Sequence, residues 1–582
     1  MEIEQLATSA INQVISKTDY IIPYINSGDK APSWDGYFEL YSDKSKNKRF
    51  YFGKALIQVK GRSCKSFSLK EFKYSININD LRNYQIEGGT LYFVVQINKN
   101  GESKIFYNAL LPFELNNILK DASGKKKSVS VKMYEFPTNK NEVTNIVFNF
   151  VRDKENQSII KNGNNIEIKE LIQQFGKEKI KYSFSYTGLG YDRDKPYEYL
   201  FTHDVYLYAQ HTELNIKIPV NHMWRAELCQ STIYGEVMVD NKVYYTSYNI
   251  IHRVDTDEIH IGKSIRLKLG NGTIPKLEYN LKGSLNERII AEKMMLNLYA
   301  VKKLYINGYC FEINIDEKRY DIRFIESHLT YITELKEILD KLGVIDDLDC
   351  SIISQKDEEY IRMLIAVFKH SKLIEFKEEI QPMATVPIGN LTILLTFKHD
   401  KNGKYIIKNH TDCDLDVYGE MANGSRFKTS RYTILKKSDF MNISNLKENE
   451  IVDELMTINN PGHLSRTNYT LLEMIKAYDK IKKPSLIYEA IRLAEWLNEK
   501  EKSSISIINC CQCYYRIREL RSEEKNLILN IINNSDDIQI KLAGNILLQN
   551  ESVVQNLFCN MNERDKKIFE EYPLYNLMTY RN

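Results

Sequence analysis

Asp35, Gln58 and Lys60 are the residues whose types and spacing best suit one reaction. Hydrolysis of a phosphodiester needs hard oxygen donors for a divalent cation, which polarises the phosphate and acidifies an attacking water. It also needs a positive group to stabilise the charge that builds on the phosphate. Asp35 and the Gln58 side-chain oxygen supply the donors for Mg²⁺, with Mn²⁺ able to substitute, and Lys60 supplies the positive group. Glu4 is the candidate to complete the shell through a metal-bound water, and Glu39 is a further candidate ligand on the face of Asp35.

These residues need elements to hold them. Ile3, Leu6, Ala7, Ala10, Ile11, Val14 and Ile15 recur at helical spacing over residues 2–17, with Glu4 at the edge of the stripe. Trp34 to Tyr41 alternates as a strand, with Trp34, Gly36, Phe38 and Leu40 on one face and Asp35, Tyr37 and Glu39 on the other. A second strand runs from Lys54 to Lys60 and sets Gln58 and Lys60 on one face. A hairpin that places Asp35 opposite Gln58 must turn around Lys46 and Asn47, inside the polar run Asp43 to Arg49. The register is therefore self-consistent, and the three polar groups share a face. A helix capped at Asn79/Asp80 and stopped at Gly88-Gly89 follows, then an apolar strand from Thr90 to Ile97, a turn at Asn98 to Gly101 and a strand through Ile105 to Tyr107.

Charge singles out the same region. The net charge is only +3, yet residues 1–150 hold 21 Lys/Arg against 15 Asp/Glu, so the positive excess lies there. Between Asp43 and Glu71 the basic residues include Lys48, Arg49, Lys54, Arg62 and Lys65, which form the expected contact surface for a polyanion. A charge run is also what an ordinary solvated face looks like; the motif within the run favours a nucleic acid.

The pattern of Glu4 in a leading helix, Trp34-Asp35-Gly36, and Gln58-Val59-Lys60 ending a strand resembles the Mrr-like branch of the PD-(D/E)XK nuclease superfamily, in which Gln replaces the usual acid. The run Ile57-Gln58-Val59-Lys60-Gly61-Arg62, the Tyr84 helix and the next hydrophobic strand are also similar to a bacterial domain of uncharacterised function placed in that superfamily. The resemblance covers residues 1–115 and departs from the general pattern at Trp34, where Pro is common, and at Gln58, which brings no charge. It implies a restriction-endonuclease-like α/β fold and an endonuclease acting on DNA, with bacterial restriction or antiphage defence as the setting. An RNase, or a catalytically silent fold that binds nucleic acid or protein, are the alternatives.

Other motifs are weaker. Ser123 to Ser128 has Leu119 where a phosphate loop needs its first Gly, and Gly188-Leu189-Gly190 lacks the third Gly of a dinucleotide site. His203, His211 and His222 read as structural histidines, and the tyrosines from Tyr186 to Tyr208 as strand or core residues. Cys510, Cys511 and Cys513 lack paired zinc spacing and read as reduced core thiols.

With 582 residues the chain is expected to form several domains. The expected organisation is multidomain, α/β with α+β: the nuclease-like domain at 1–150, a β-rich mixed domain at 180–325, an α+β region at 326–450 and an α-helical domain at 451–582. Hairpins are expected at Asp240-Asn241 and Asn307-Gly308, and helices at Leu285 to Val301, Tyr331 to Leu342 and Glu358 to Phe368. In the last region Pro484 reads as a first-turn proline, and Ser503, Ser522 and Ser535 as caps. Helix pairs similar to tetratricopeptide repeats would fit and would offer a surface for a protein partner or self-association. No run approaches a membrane span and no signal peptide is seen, so a cytoplasmic protein is expected, and the Ile, Asn, Lys and Tyr bias suits a low-GC bacterial source.

Overall fold

In the computed structural model, residues 3–26, 33–122, 127–160, 165–213, 216–269, 275–315, 319–412 and 415–578 are described. The basic turn at Ser123 to Lys126 lies outside them. The chain divides into two compact units, Met1–Thr232 with Asn249–Glu258, and Ile233–Tyr248 with Ile259–Asn582.

The first unit is built on a seven-stranded sheet. Helix α1 (Ile3–Ile15) leads into β1 (Ile21–Ile25), β2 (Gly36–Tyr41), β3 (Tyr51–Ser63), β4 (Glu71–Asn77), α2 (Ile78–Ile86), β5 (Thr90–Ile97), β6 (Ser103–Leu110), α3 (Pro112–Asp121), β7 (Ser128–Glu135) and α4 (Lys140–Asn156). The sheet order is β1-β2-β3-β5-β6-β7-β4. β3 and β5 pair in parallel, as their connection through α2 allows, whereas β1-β2, β2-β3 and β5-β6 are antiparallel. Strand β5 is buried along its whole length, as the central strand of a sheet covered on both faces must be.

Two cores lie on opposite faces of this sheet. On one face Ala55, Ile57 and Val59 of β3 and Leu91, Phe93 and Val95 of β5 pack against Ala7, Ile11 and Ile15 of α1 and Val147, Phe150 and Val151 of α4. On the other, Tyr92 and Val94 of β5 and Phe106 and Leu110 of β6 meet Leu81 and Tyr84 of α2 and Leu115 of α3. Each fully buried Ile, Leu or Phe contributes about 2 kcal/mol of hydrophobic stabilisation.

Sequence periodicity locates these elements closely, with instructive exceptions. Trp34 does not continue the face of Phe38 and Leu40; it packs with Tyr84 in the opposite core. The strand starts only at Gly36, whose φ of +153° favours glycine and whose Cβ, if present, would sit 2.1 Å from the Tyr24 carbonyl oxygen. The α2 cap is Asn77, accepting from the Asn79 N–H, rather than Asn79 or Asp80.

The first unit continues with α5 (Ile168–Phe175), β8 (Ile180–Ser183), α6 (Pro196–Thr202), β9 (Val205–His211) and β10 (Lys217–Met223). The small β10-β9-β8 sheet sends Tyr206 and Tyr208 into the α1/α4 core. Residues 180–232 thus belong with the first unit.

In the second unit the helix Leu285–Val301 occupies the residues its periodicity marks, and both expected turns carry the left-handed residues of tight hairpins at Asp240-Asn241 and Asn307-Gly308. The helices Ile322–Lys341 and Gln355–Phe368 share a core with the three-stranded sheet Met383–Ile388, Leu391–His399, Tyr405–Asn409. After a two-stranded ladder, Val417–Glu420 with Arg426–Thr429, the chain is helical to Glu570. Leu486, Ala490, Leu493, Ala494 and Leu497 are buried as one stripe and Ser503 caps its helix, but Arg521 and Asp537 stand at the cap positions expected for Ser522 and Ser535. Leu527 is exposed, so its stripe narrows to Ile528 and Ile531, with Ile532 partly buried. From Pro461 onward helix lengths fall from 21 residues to 8, so no repeat of fixed length emerges. No helix among the described residues is long and apolar enough to cross a membrane.

Candidate functional site

The β2-β3 ladder pairs Gly36 with Ile57, Tyr37 with Leu56, Phe38 with Ala55 and Glu39 with Lys54. Carried one step further, that register sets Asp35 against Gln58, and the Asp35 N–H donates to the Ile57 carbonyl at 3.1 Å. There the ladder changes character. The next donor on β3, the Val59 N–H, is taken at 2.8 Å by the side-chain Oδ2 of Asp35 instead of a β2 carbonyl. The carboxylate thus caps the hairpin where its strands part, while β3 runs on beside β5 as far as Ser63.

Gln58, 3% exposed, donates its Nε2 to the same Asp35 oxygen. A carboxylate offers only acceptors, so the amide must face it with nitrogen, which turns Oε1 away. Among the described residues neither Asp35 Oδ1 nor Gln58 Oε1 has a hydrogen-bond partner. Two unclaimed oxygens therefore sit on two groups that hold each other in place. Lys60, half-buried on the same face and paired in register with Val94, has no ion pair or hydrogen bond to its ammonium among the described residues.

The wall of this site comes from α2 and from the turn before β2. Ser33 Oγ donates to Asp80 Oδ1 at 3.2 Å and accepts from Asn83 Nδ2 at 2.9 Å, so α2 grips the turn that carries Asp35. Trp34 lies edge-on to Tyr84, with ring centres 5.8 Å apart, and its buried Nε1 has no hydrogen-bond partner among the described residues. Burial first, then the charges of Asp80 and Asp35, push the Tyr84 phenol far up; burial, Tyr74 and Tyr84, then the same two carboxylates, do so for Tyr92. Both phenols keep their protons at any physiological pH. Asp80, Asn83 and Tyr84 stand at helical i, i+3 and i+4 spacing, the faint trace this wall leaves in the sequence.

Glu4 stands in the first turn of α1. It is exposed, α1 covers the opposite face of the sheet, and no hydrogen bond or ion pair joins its side chain to Asp35, Gln58 or Lys60 among the described residues. Gly61 sets that arrangement: a Cβ there would lie 2.8 Å from the Ile3 carbonyl oxygen, so only glycine admits the first turn of α1 against β3. Glu39 accepts from the Tyr41 hydroxyl at 2.9 Å and stands four residues from Asp35, about 13 Å along the strand.

The basic residues are divided. Lys48 and Arg49 occupy the single turn Lys48–Phe50 at the far end of the hairpin, about 30 Å of extended chain from Gln58. Lys54 lies over the Tyr37 ring at 3.2 Å and Arg62 over the Phe72 ring at 5.8 Å. Arg62 and Lys65 are exposed at the site's end of β3. Part of the run is structural, since Lys46 donates to the Thr18 and Ile21 carbonyls and Lys44 pairs with Asp19.

Asp35 Oδ1 and Gln58 Oε1 are the oxygens that would serve as protein ligands to a divalent cation of the Mg²⁺ type, which prefers oxygen and keeps several waters. Among the described residues no group of three or more His, Cys, Asp or Glu is placed to hold a metal. The remaining ligands would be water and substrate phosphate.

Elsewhere in the unit, two of the three expected structural histidines are tied to carboxylates. His203 Nε2 meets Glu142 at 2.7 Å, while His222 lies between Glu114 at 2.6 Å and Asp204 at 2.8 Å and stacks on Tyr206. No family model matches the chain, and no curated protein and no solved structure matches it either.

Proposed function

We propose that the first unit is a metal-dependent endonuclease that hydrolyses phosphodiester bonds, with DNA as substrate and bacterial restriction or antiphage defence as its setting. The observation that carries the reading is the Asp35-Gln58 pair at the parting of β2 and β3, with the Lys60 ammonium, unpaired among the described residues, two residues along. A cation held there polarises the phosphate and lowers the pKa of the attacking water. Asp35 and Gln58 fix the donor oxygens before substrate arrives, which reduces the reorganisation that binding would otherwise require. Lys60, without a counter-charge among the described residues, holds a phosphate oxygen and stabilises its growing negative charge. Arg62 and Lys65 continue a positive track from the site along β3.

Plasmid DNA incubated with the protein in Mg²⁺ or Mn²⁺ and in EDTA tests this, alongside Asp35→Ala and Lys60→Ala. Metal-dependent cutting lost in both variants is expected; cutting unchanged in the variants would refute the assignment. A second reading has its own support, because Asp35 is the only carboxylate whose oxygens meet Gln58 among the described residues: a silent fold that binds nucleic acid. It requires salt-sensitive binding that survives EDTA and Asp35→Ala. Single-stranded RNA and tRNA offered beside duplex DNA separate the RNase alternative.

A further inference from the structure

In the first unit one indole is held outward. Trp224 is 61% exposed, yet the chain on both sides of it is pinned. Before it, Met223 ends β10 in register with Val205; after it, the Ala226 N–H donates to the Leu200 carbonyl at 2.8 Å. Rings prop it from behind. Buried Tyr206 stacks on His222 with centres 4.3 Å apart, and His222 meets the Trp224 ring at 4.9 Å. Glu114 and Asp204 fix the imidazole of that ladder at its two nitrogens. On the surface the indole also meets Tyr134 of β7 at 6.1 Å, and the Lys132 ammonium lies over the Tyr134 ring at 5.3 Å.

The ribbon of β4 and β7 extends this surface. Its register sets Glu71 against Tyr134, Lys73 against Lys132 and Ser75 against Ser130, all exposed except the partly buried Tyr134. Like charges directly opposite each other cost a ladder stability. Lys132 is relieved by Glu71 at 2.8 Å, an ion pair open to solvent and therefore weak enough to exchange for a phosphate. Lys73 and Arg225, the latter next to Trp224 in the chain, are exposed and have no ion pair among the described residues. Tyr134 is in register with Tyr107, which packs on the α1/α4 core, so this surface lies on the face of the sheet away from Gln58 and Lys60. A protein partner would call for an apolar centre around the indole, whereas the ribbon offers lysines and serines. An open aromatic face flanked by cations suits an unpaired nucleotide strand, because every base has a π-face to stack and every link a phosphate to neutralise. We infer that Trp224 is a stacking platform for single-stranded nucleic acid, with Lys73, Lys132 and Arg225 taking its phosphates. In a duplex the bases stack on one another, so the platform selects unpaired strand. It needs no metal and no catalysis.

Trp224 is the most exposed of the chain's three tryptophans, so a base stacked on it quenches the intrinsic fluorescence. Oligo-dT and oligo-U strands of about 12 nucleotides, and a DNA duplex of the same length, are titrated in EDTA, with the anisotropy of labelled strands as the readout for variants. Quenching by single strands and none by the duplex is expected, and the two strands report any preference between DNA and RNA. Trp224→Ala should weaken single-strand binding about 5- to 150-fold, and Trp224→Phe, which keeps a ring against His222, should lose less. Lys73→Ala with Lys132→Ala should lower the slope of log affinity against log salt by about 1.4 if each neutralises one phosphate. Unchanged affinity in Trp224→Ala, equal quenching by the duplex, or no binding of either single strand would overturn the assignment. Asp35→Ala should bind the strands as the wild type does, so failure of the platform and failure of the cation site are read separately.

Discussion

Replacing Gln58 by Glu tests the site's geometry without relying on catalysis. In the wild type the amide holds Asp35 by a hydrogen bond, at a position only 3% exposed. Gln58→Glu loses that charge-assisted bond, a loss of about 1.5–3 kcal/mol. It also sets two carboxylates oxygen to oxygen, where repulsion at roughly 3 Å amounts to about 5 kcal/mol with an effective dielectric constant near 20. The pair escapes the full repulsion by retaining one proton, as facing carboxylates do. Folding then requires that proton, so the variant's carboxyl pKa is raised in the folded state. Stability is highest below the ordinary carboxylate pKa of about 4.3 and is lost as pH rises. In EDTA we expect Gln58→Glu to be less stable than wild type by about 3–5 kcal/mol at about pH 8, and by much less at about pH 5.

A divalent cation takes the place of the proton and returns about 2.7 kcal/mol at a hundred times its Kd. Urea unfolding of both proteins at the two pH values, in EDTA and in Mg²⁺ or Mn²⁺, reads each quantity. A variant that matches the wild type at high pH in EDTA would mean the two side chains are not in contact. A variant destabilised there but unaffected by metal would mean that the paired oxygens do not form a cation site.

Four further outcomes follow from the same unit. Gly61→Ala forces a Cβ against the Ile3 carbonyl; a cost of about 1–3 kcal/mol is expected, with faster amide exchange confined to the first turn of α1 if the strain is relieved there. Burial alone would lower the His222 pKa, but the Asp204 and Glu114 carboxylates more than offset it and raise it to about 9. The resulting stabilisation, about 3 kcal/mol, is complete below the unfolded pKa of about 6.5 and is lost as pH rises through about 9. Urea midpoints across that window should fall for the wild type and stay flatter for His222→Gln. For DNA binding, Arg62→Ala should lower the slope of log affinity against log salt by about 0.9 if Arg62 neutralises one phosphate. The double change Lys48→Ala and Arg49→Ala should leave the affinity for a short duplex unchanged and weaken that for a long one, because these residues lie about 30 Å from Gln58; equal losses on both lengths would contradict the division of the basic residues.

Much of the candidate site is legible in the amino-acid sequence. Alternation has a period of two, so Gln58 and Lys60 had to share a face, and the polar run between the strands placed Asp35 opposite Gln58, one step beyond the observed Gly36-Ile57 pair. The helix Leu285–Val301 and the hairpin turns are equally readable, because the residues that specify them are close in sequence. The grip of α2 on Ser33 leaves only a spacing of Asp80, Asn83 and Tyr84, which many solvated helices share.

Local pattern, then, sets which residues of one element point the same way, and it does so for Asp35, Gln58 and Lys60. It does not set which face of a sheet a distant helix covers. Glu4 stands at the edge of an amphipathic stripe, and packing of Ala7, Ile11 and Ile15 on Ile57 and Val59 sets its helix in the other layer. Trp34 changes layers because Gly36 admits a backbone turn that no alternation rule anticipates. Residues 180–232 join the first unit because Tyr206 and Tyr208 bury against helices far earlier in the chain. Each of these depends on contacts between segments remote in sequence, and the energy that decides them exists only once the chain has folded.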